Sequence, residues 1–286
     1  MTEAELLTTV ECHERGVRSA GVTTRFLEAG SPEAPTVVLL HDGAWGGSSD
    51  VTWGACLPML AQRFHVIAPD FLGYGGSDKA TYFDRSSYAP RIAQLESLLE
   101  TLLISEPHLV GSSYGGSVAL RMLVESTMPL RSATSIGGSG GPWKTEVMLR
   151  ELGRWDGTRG DLTRVLAFLM DESHPDFEKQ LSLRERWATV PGHYRSVASA
   201  TLALPEPLRR AVEDPWPAPL AGVGTPTLLV AGSQDELFEP EWPEHVQAVV
   251  PHAEIVRMDT RHSPNLDHPA EVVDLLTQFL EAVDSA

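Results

Sequence analysis

The stretch LVGSSYGG at residues 109–116 decides the fold that the rest of the chain adopts. An apolar run ends there in Gly-x-Ser-x-Gly and continues into VALRML at 118–123, which predicts a strand, a sharp turn and a helix. Only very small residues fit beside a serine in so tight a turn, and the glycines of this stretch meet that requirement. The pattern predicts that Ser113 presents its hydroxyl at the carboxyl end of a central strand.

Other apolar runs predict the remaining strands, and segments with helical periodicity separate them. The predicted strands cover 36–40, 64–69, 108–113, 132–136, 226–232 and 253–258, after an edge hairpin at 17–30. The predicted helices cover 53–61, 88–104 and 114–125, and a last one follows residue 269. Since strands and helices alternate, we expect an α/β fold with a mostly parallel sheet and helices on both faces.

The alternation breaks between residues 142 and 224. This segment contains helical patterns at 162–170 and 177–190 and ends in the proline-rich DPWPAP at 214–219. It is too long for a loop within a compact domain. We therefore predict a helical cap at 142–224, inserted after the sixth strand into a core made of 1–141 and 225–286.

The composition limits the classes of function. The formal net charge of −17 argues against nucleic acid or an anionic membrane surface as a partner. No window approaches the roughly 18 apolar residues of a membrane span, and the first residues lack a signal-peptide pattern. Cys12 and Cys56 show neither metal-ligand spacing nor a disulfide framework. We expect a cytoplasmic monomer or homo-oligomer that acts on a small molecule without a metal or organic cofactor.

A serine hydroxyl becomes nucleophilic when a base takes its proton and an acid orients that base. Asp235 and His262 each follow a predicted strand, so both are expected at the sheet edge where Ser113 lies. The chain order Ser, Asp, His is that of one known class of such sites. His268 is the nearest rival base, but it falls at the start of the last helix. Asp235 could instead serve only as a loop cap.

The negative charge that develops on an attacked carbonyl oxygen needs two N–H donors. The backbone of Tyr114, which follows the nucleophile, supplies one, and Gly43 in the glycine-rich loop 41–47 supplies the other. We interpret His41 as a structural hydrogen-bonding residue. Asp42 is unexpected here, because a carboxylate beside an oxyanion site must point away from it.

These motifs together resemble the α/β-hydrolase fold superfamily over nearly the whole chain. The resemblance rests on the loop 41–43, the motif DFLGYGGS at 70–77, the turn at 111–115, Asp235, and His262 with its following DHP motif. It implies a serine hydrolase. The superfamily also contains esterases, lactonases, thioesterases, C–C hydrolases and non-catalytic members. The serine nucleophile argues against its epoxide hydrolases and haloalkane dehalogenases, which use aspartate.

Within the superfamily the chain most resembles the meta-cleavage product hydrolases, which cut a C–C bond in vinylogous 1,5-diketones from aromatic ring fission. The glycine-rich loops and the cap sequence RERW at 184–187 carry this resemblance. It implies that Arg186 binds the substrate's carboxylate and oxo group, as a planar guanidinium can. Ser112 and Trp187 are assigned to substrate binding with it.

Three positions differ from that family's usual residues: Ser112 stands for Asn, Ser263 for Trp and Asp42 for Gly. Two alternatives to C–C hydrolysis therefore stay open. One is a carboxylesterase or lactonase on small hydrophobic esters, which would tolerate Arg186→Ala better. The other is a non-hydrolytic biosynthetic or ligand-binding protein, in which an organophosphonate would fail to label Ser113.

Overall fold

The computed structural model describes residues 10–199 and 214–286, and eight strands in these residues form one sheet. The strands are β1 Cys12–Ser19, β2 Val22–Ala29, β3 Thr36–Leu40, β4 His65–Pro69, β5 His108–Ser112, β6 Ser132–Ile136, β7 Thr227–Gly232 and β8 Glu254–Met258. Their order across the sheet is β1-β2-β4-β3-β5-β6-β7-β8. β2 pairs antiparallel with both of its neighbours, and the strands β3 to β8 are parallel to one another. The predicted fold class is confirmed.

Helices cover both faces of the sheet. The α-helices of the described residues are α1 Ser49–Trp53, α2 Leu57–Leu60, α3 Ala89–Thr101, α4 Tyr114–Glu125, α5 Arg159–Leu169, α6 Phe177–Ala188, α7 His193–Ser199, α8 Trp242–Gln247, α9 Pro264–Asp267 and α10 Pro269–Asp284. Within β3, Val37 and Leu39 pack on the side of α2 and α10, whereas Val38 and Leu40 pack on the side of α3 and α4. This alternation explains why the strand is apolar at nearly every position.

The predicted helix at 53–61 is instead two short helices, α1 and α2. The first ends at Trp53 with Gly54 as its C-cap, and the second begins with Pro58 in its first turn. Proline fits the first turn of a helix because that position needs no N–H donor, so it starts a new helix here. The break turns the chain between the loop at 41–47 and β4.

The segment between β6 and β7 is helical in the residues that the structure describes. It contains a π-helical turn Met148–Leu152, then α5, α6 and α7, and a 3-10 turn Ala218–Leu220. Apolar side chains of α5 and α6 join one buried cluster with Trp45 of the loop after β3 and with β7. The helical insertion thus packs directly on the core, while its bounds at 142 and 224 stay a prediction. No helix in the described ranges is long and apolar enough to span a bilayer.

Candidate active site

The turn between β5 and α4 holds Ser113 in a strained backbone conformation. Its φ is +56° and its ψ is −117°, a region that residues other than glycine rarely occupy. A Cβ added to Gly111 would lie 2.1 Å from the backbone oxygen of Gly115, and one added to Gly115 would lie 2.3 Å from that of Leu40. The strand and the helix therefore touch backbone to backbone. This close contact is the reason for the glycines on either side of Ser113.

The structure brings Ser113, His262 and Asp235 into one chain of hydrogen bonds. The Ser113 Oγ lies 2.8 Å from His262 Nε2, and His262 Nδ1 lies 2.8 Å from Asp235 Oδ2. His262 is fully buried and Ser113 is 6% exposed. With its Nδ1–H donated to a carboxylate, the imidazole keeps the Nε2 lone pair free to accept the serine proton.

Neighbouring residues hold the acid and the base in place. The second oxygen of Asp235, Oδ1, accepts the Leu237 N–H at 2.8 Å. The Phe238 ring stacks on the His262 ring, with centroids 5.7 Å apart and planes 9° apart. Phe238 was not predicted from the sequence, where its signal is the apolar Leu-Phe pair that follows Asp235 closely. The rival base His268 hydrogen-bonds Asp267 at 3.0 Å and is partly exposed.

The cap contacts the chain on both sides of His262. Arg261 donates from Nη1 to the backbone oxygen of Ala167 at 2.9 Å, and the Ser263 N–H donates to that of Leu169 at 2.9 Å. Both acceptors lie at the end of α5. The position of the base therefore depends on the cap as well as on the sheet.

The two expected oxyanion donors are neighbours. A Cβ added to Gly43 would lie 2.7 Å from the Cβ of Tyr114, so the loop runs directly over the start of α4. Within the described residues, the N–H groups of Gly43 and Tyr114 donate to no protein acceptor. Two free N–H groups beside a nucleophile are what a developing oxyanion requires.

His41 fixes the peptide that carries the Gly43 N–H. Its Nδ1 donates to the backbone oxygen of Asp42 at 2.6 Å, and its Nε2 accepts the Phe71 N–H at 2.9 Å. Burial lowers the pKa of His41, which keeps this donor and acceptor arrangement neutral. In a trans peptide the C=O and N–H point in opposite directions, so anchoring the Asp42 oxygen sets the direction of the Gly43 N–H.

The Asp42 carboxylate is held by a buried arginine of the cap. Arg184 Nη1 lies 3.1 Å from Oδ1 and Nη2 lies 2.7 Å from Oδ2, and both side chains are almost completely buried. The Thr52 hydroxyl donates to Oδ2 at 2.7 Å and the Ala44 N–H to Oδ1 at 2.9 Å. Burial alone would raise the pKa of Asp42, but the charge and hydrogen bonds of Arg184 outweigh it and lower the pKa to about 2. Both carboxylate oxygens are thus occupied by protein donors.

The structure does not bring Arg186 to the triad. Its side chain is exposed, and its guanidinium lies 5.0 Å from the centre of the Trp187 ring. The buried face of α6 includes Phe177, Leu181 and Arg184. Arg186 is two residues beyond Arg184, which is about 200° around the helix. The helical period was the signal that could have distinguished these two arginines.

Ser112 and Trp187, the other expected substrate-binding residues, bond to the core. The Ser112 hydroxyl donates to Asn265 Oδ1 at 3.0 Å, and Asn265 in turn donates to the backbone of Thr52. The Trp187 indole N–H donates to Asp50 Oδ2 at 3.0 Å. These contacts join α9 to the nucleophile turn and the cap to α1, and neither side chain hydrogen-bonds a triad residue in the described ranges. No group of three or more His, Cys, Asp or Glu in those ranges could hold a metal ion.

Comparison with known proteins gives the family. The sequence profile described as "Alpha/beta hydrolase family" matches residues 37–275, most of the chain. The chain therefore belongs to the alpha/beta hydrolase family, and its site is that of a member with a serine nucleophile.

Individual relatives are similar over nearly their whole length. The chain is 25% identical over 280 residues to the 2-hydroxy-6-oxo-6-(2'-aminophenyl)hexa-2,4-dienoic acid hydrolase of Metapseudomonas resinovorans, covering 93% of this chain and 90% of that one. It is 24% identical over 277 residues to the 2-hydroxymuconate semialdehyde hydrolase of Pseudomonas sp. (strain CF600), covering 95% of each. The solved structure of 2-hydroxy-6-oxo-6-phenylhexa-2,4-dienoate hydrolase from Rhodococcus sp. strain RHA1 matches with a TM-score of 0.84 and 26% identity, over 96% of this chain and 100% of that one.

Proposed function

We propose that the protein is a serine hydrolase that cleaves a C–C bond next to a ketone in a small hydrophobic or aromatic-derived substrate. The observation that carries the proposal is the hydrogen-bonded chain of Ser113, His262 and Asp235 in a protein whose relatives over nearly the full length are named as hydrolases of oxo-dienoates or a muconate semialdehyde. The net charge of −17 argues against nucleic acid or an anionic membrane surface as the partner. The two free cysteines, Cys12 and Cys56, support a location in the cytoplasm.

The first half of the reaction follows from the hydrogen bonds. His262 takes the proton of Ser113 at Nε2 while the serine oxygen attacks the substrate carbonyl. Asp235 keeps the proton of His262 on Nδ1 and stabilises the imidazolium that forms. The carbonyl oxygen gains negative charge, and the N–H groups of Gly43 and Tyr114 stabilise it.

The second half depends on the leaving group. For a carbon to leave, the substrate must first reach a keto form in which the electron pair of the broken C–C bond is delocalised. The proton held by His262 then goes to that carbon, and the acyl group stays on Ser113. His262 then takes a proton from water, and the water oxygen attacks the acyl ester. His262 returns this proton to the Ser113 oxygen as the acid leaves.

The low solvent exposure of the triad favours an apolar substrate. Ser113 is 6% exposed and the His262 ring is covered by Phe238. A site this dry strengthens the hydrogen bonds to a developing oxyanion. It also favours an apolar group next to the scissile bond.

The test is the loss of the dienolate absorbance of a 2-hydroxy-6-oxo-hexa-2,4-dienoate, with wild type and Ser113→Ala compared in parallel. We expect wild type to remove the absorbance and Ser113→Ala to be slower by about a millionfold, as for other serine nucleophiles. A short-chain nitrophenyl ester serves as the comparison substrate. Cleavage of the ester alone would show an esterase and contradict the C–C assignment. Cleavage of neither substrate would contradict hydrolysis altogether.

A further inference from the structure

The loop that carries Gly43 is attached to the cap by several hydrogen bonds. Besides the two bonds to Asp42, Arg184 Nη1 donates to the backbone oxygen of Trp45 at 3.3 Å. The Trp45 indole N–H donates to the backbone oxygen of Leu152 at 3.1 Å. The Gly46 N–H donates to Nε2 of His193 at 3.0 Å. Residues 42, 45 and 46 are therefore bonded to three helical segments of the cap: α6, the turn Met148–Leu152 and α7.

The loop also packs against the cap backbone. Gly46 has a φ of +71°, and a Cβ added there would lie 2.2 Å from the backbone oxygen of Arg184. Contact at this distance leaves no room for a side chain or a water layer between the loop and α6. The path of the loop is thus shaped by the docked cap.

The buried ion pair at the centre of this contact is not an efficient way to gain stability. Desolvation of two charges offsets most of their attraction, so an apolar pair of similar volume is often as stable. A bidentate guanidinium does something that an apolar pair cannot, because it fixes both the position and the plane of the carboxylate. In this chain the carboxylate belongs to Asp42, and the peptide bond from Asp42 to Gly43 carries the Gly43 N–H.

We propose that Arg184 is a positioning residue: from the cap, through Asp42, it fixes the loop that aims the Gly43 N–H, so that the oxyanion site is complete only when the cap is docked. The proposal rests on the proposed function, because it assigns a role within the same serine hydrolase site. Arg184 acts through Asp42 and not on the substrate, because its side chain is fully buried and both of its Nη atoms are bonded to Asp42 or Trp45. Its loss should therefore affect the chemical step more than substrate binding.

The experiment measures covalent labelling of Ser113 by a fluorophosphonate, whose phosphoryl oxygen also becomes more negative as the serine adds. The maximal labelling rate reports the chemical step, and the half-saturating concentration reports binding. For Arg184→Met we expect the maximal rate to fall by about 100-fold, the typical effect of a lost oxyanion donor, with the half-saturating concentration within about threefold of wild type. Arg184→Lys keeps the charge but not the bidentate guanidinium, so its maximal labelling rate should lie between those of wild type and Arg184→Met.

Arg159→Met is the matched control. Arg159 lies on α5 and bonds to two residues of α6, Glu178 and Glu185, of which Glu185 directly follows Arg184. Arg159 is partly exposed and, in the described residues, has no hydrogen bond to the loop 41–47. It removes an arginine and its ion pairs from the same helix pair. We expect its labelling rate to stay within about twofold of wild type, because exposed ion pairs contribute little.

The outcomes separate this inference from the proposed function. A wild type that resists labelling at Ser113 would overturn both. A wild type that is labelled, with Arg184→Met labelled at the same maximal rate, would overturn only the role of Arg184. A rise in the half-saturating concentration of Arg184→Met alone would also overturn only the role of Arg184. The Asp42–Arg184 pair would then hold the cap in place without positioning the loop that carries Gly43. If Arg184→Met fails to fold, the nearly isosteric Asp42→Asn must show the same loss of maximal rate.

Discussion

His193 offers a direct test of how firmly the cap is docked. The side chain is fully buried between the cap and the core, where its Nδ1 donates to the backbone oxygen of Gly73 at 3.2 Å and its Nε2 accepts the Gly46 N–H at 3.0 Å. A proton on Nε2 would face that N–H and break the hydrogen bond. Burial lowers the pKa of His193 to about 4. The folded protein therefore keeps this imidazole neutral in mildly acidic solution.

The size of the effect follows from linkage. The unfolded chain protonates His193 below its ordinary pKa of about 6.5, whereas the folded chain does so only near pH 4. The contribution of His193 to stability therefore falls as the pH drops through this window and is constant below it. The difference in pKa corresponds to about 3 kcal/mol, at about 1.4 kcal/mol for each pH unit. His41 and His108, whose pKa values burial also lowers, add losses in the same direction.

The assay compares urea unfolding of wild type and His193→Gln at several pH values between about 7 and 4.5. Glutamine does not titrate, and its oxygen can still accept the Gly46 N–H. Near pH 7 we expect the variant to be less stable by about 1 kcal/mol because its hydrogen bonds are poorer. Near pH 4.5 that deficit should disappear or reverse, since only wild type has lost the contribution of its neutral imidazole. A deficit that stays constant across the range would refute the reasoning. His41 and His108 are present in both proteins and cancel in the difference.

Two further predictions concern the site. Gly43→Ala places a Cβ 2.7 Å from that of Tyr114, so the loop must move and kcat should fall by about 100-fold with little change in KM. Gly16→Ala, where the nearest atom is 3.9 Å away, is the control that should keep full activity. Arg186→Ala should change kcat/KM by less than about threefold, as is usual for an exposed side chain. A loss of more than about tenfold in steady-state assays would restore its expected role in substrate binding.

The cap bonds to two separate parts of the candidate active site. It bonds to the loop that carries Gly43 through Arg184 and His193, and to the chain on either side of His262 through the end of α5. The loop that carries the proposed oxyanion donor and the residues beside the proposed base are therefore both attached to the same inserted segment. Changes within the cap are expected to alter kcat as well as substrate preference.

The sequence by itself determined the fold class and the three triad residues. Apolar runs that alternate with helical periods define a parallel sheet, and the carboxyl ends of parallel strands lie at one edge. Polar residues that follow such strands are therefore brought together whatever the rest of the chain does. The glycines around Ser113 are equally local, because they are needed wherever a strand turns directly into a helix. For these reasons Ser113, Asp235 and His262 could be selected from the sequence.

Only the tertiary structure decided that Arg184 of the cap pairs with Asp42. Asp42 and Arg184 are 142 positions apart, and no local pattern reports such a contact. Arg186 was selected from the motif RERW, but the orientation of α6 buries Arg184 and leaves Arg186 exposed. The same orientation explains how the Asp42 carboxylate is accommodated next to Gly43, the proposed oxyanion donor. Phe177 and Leu181 share the helical face of Arg184, so the helical period, unlike the motif, places Arg184 towards the core, whereas its pairing with Asp42 depends on the tertiary structure.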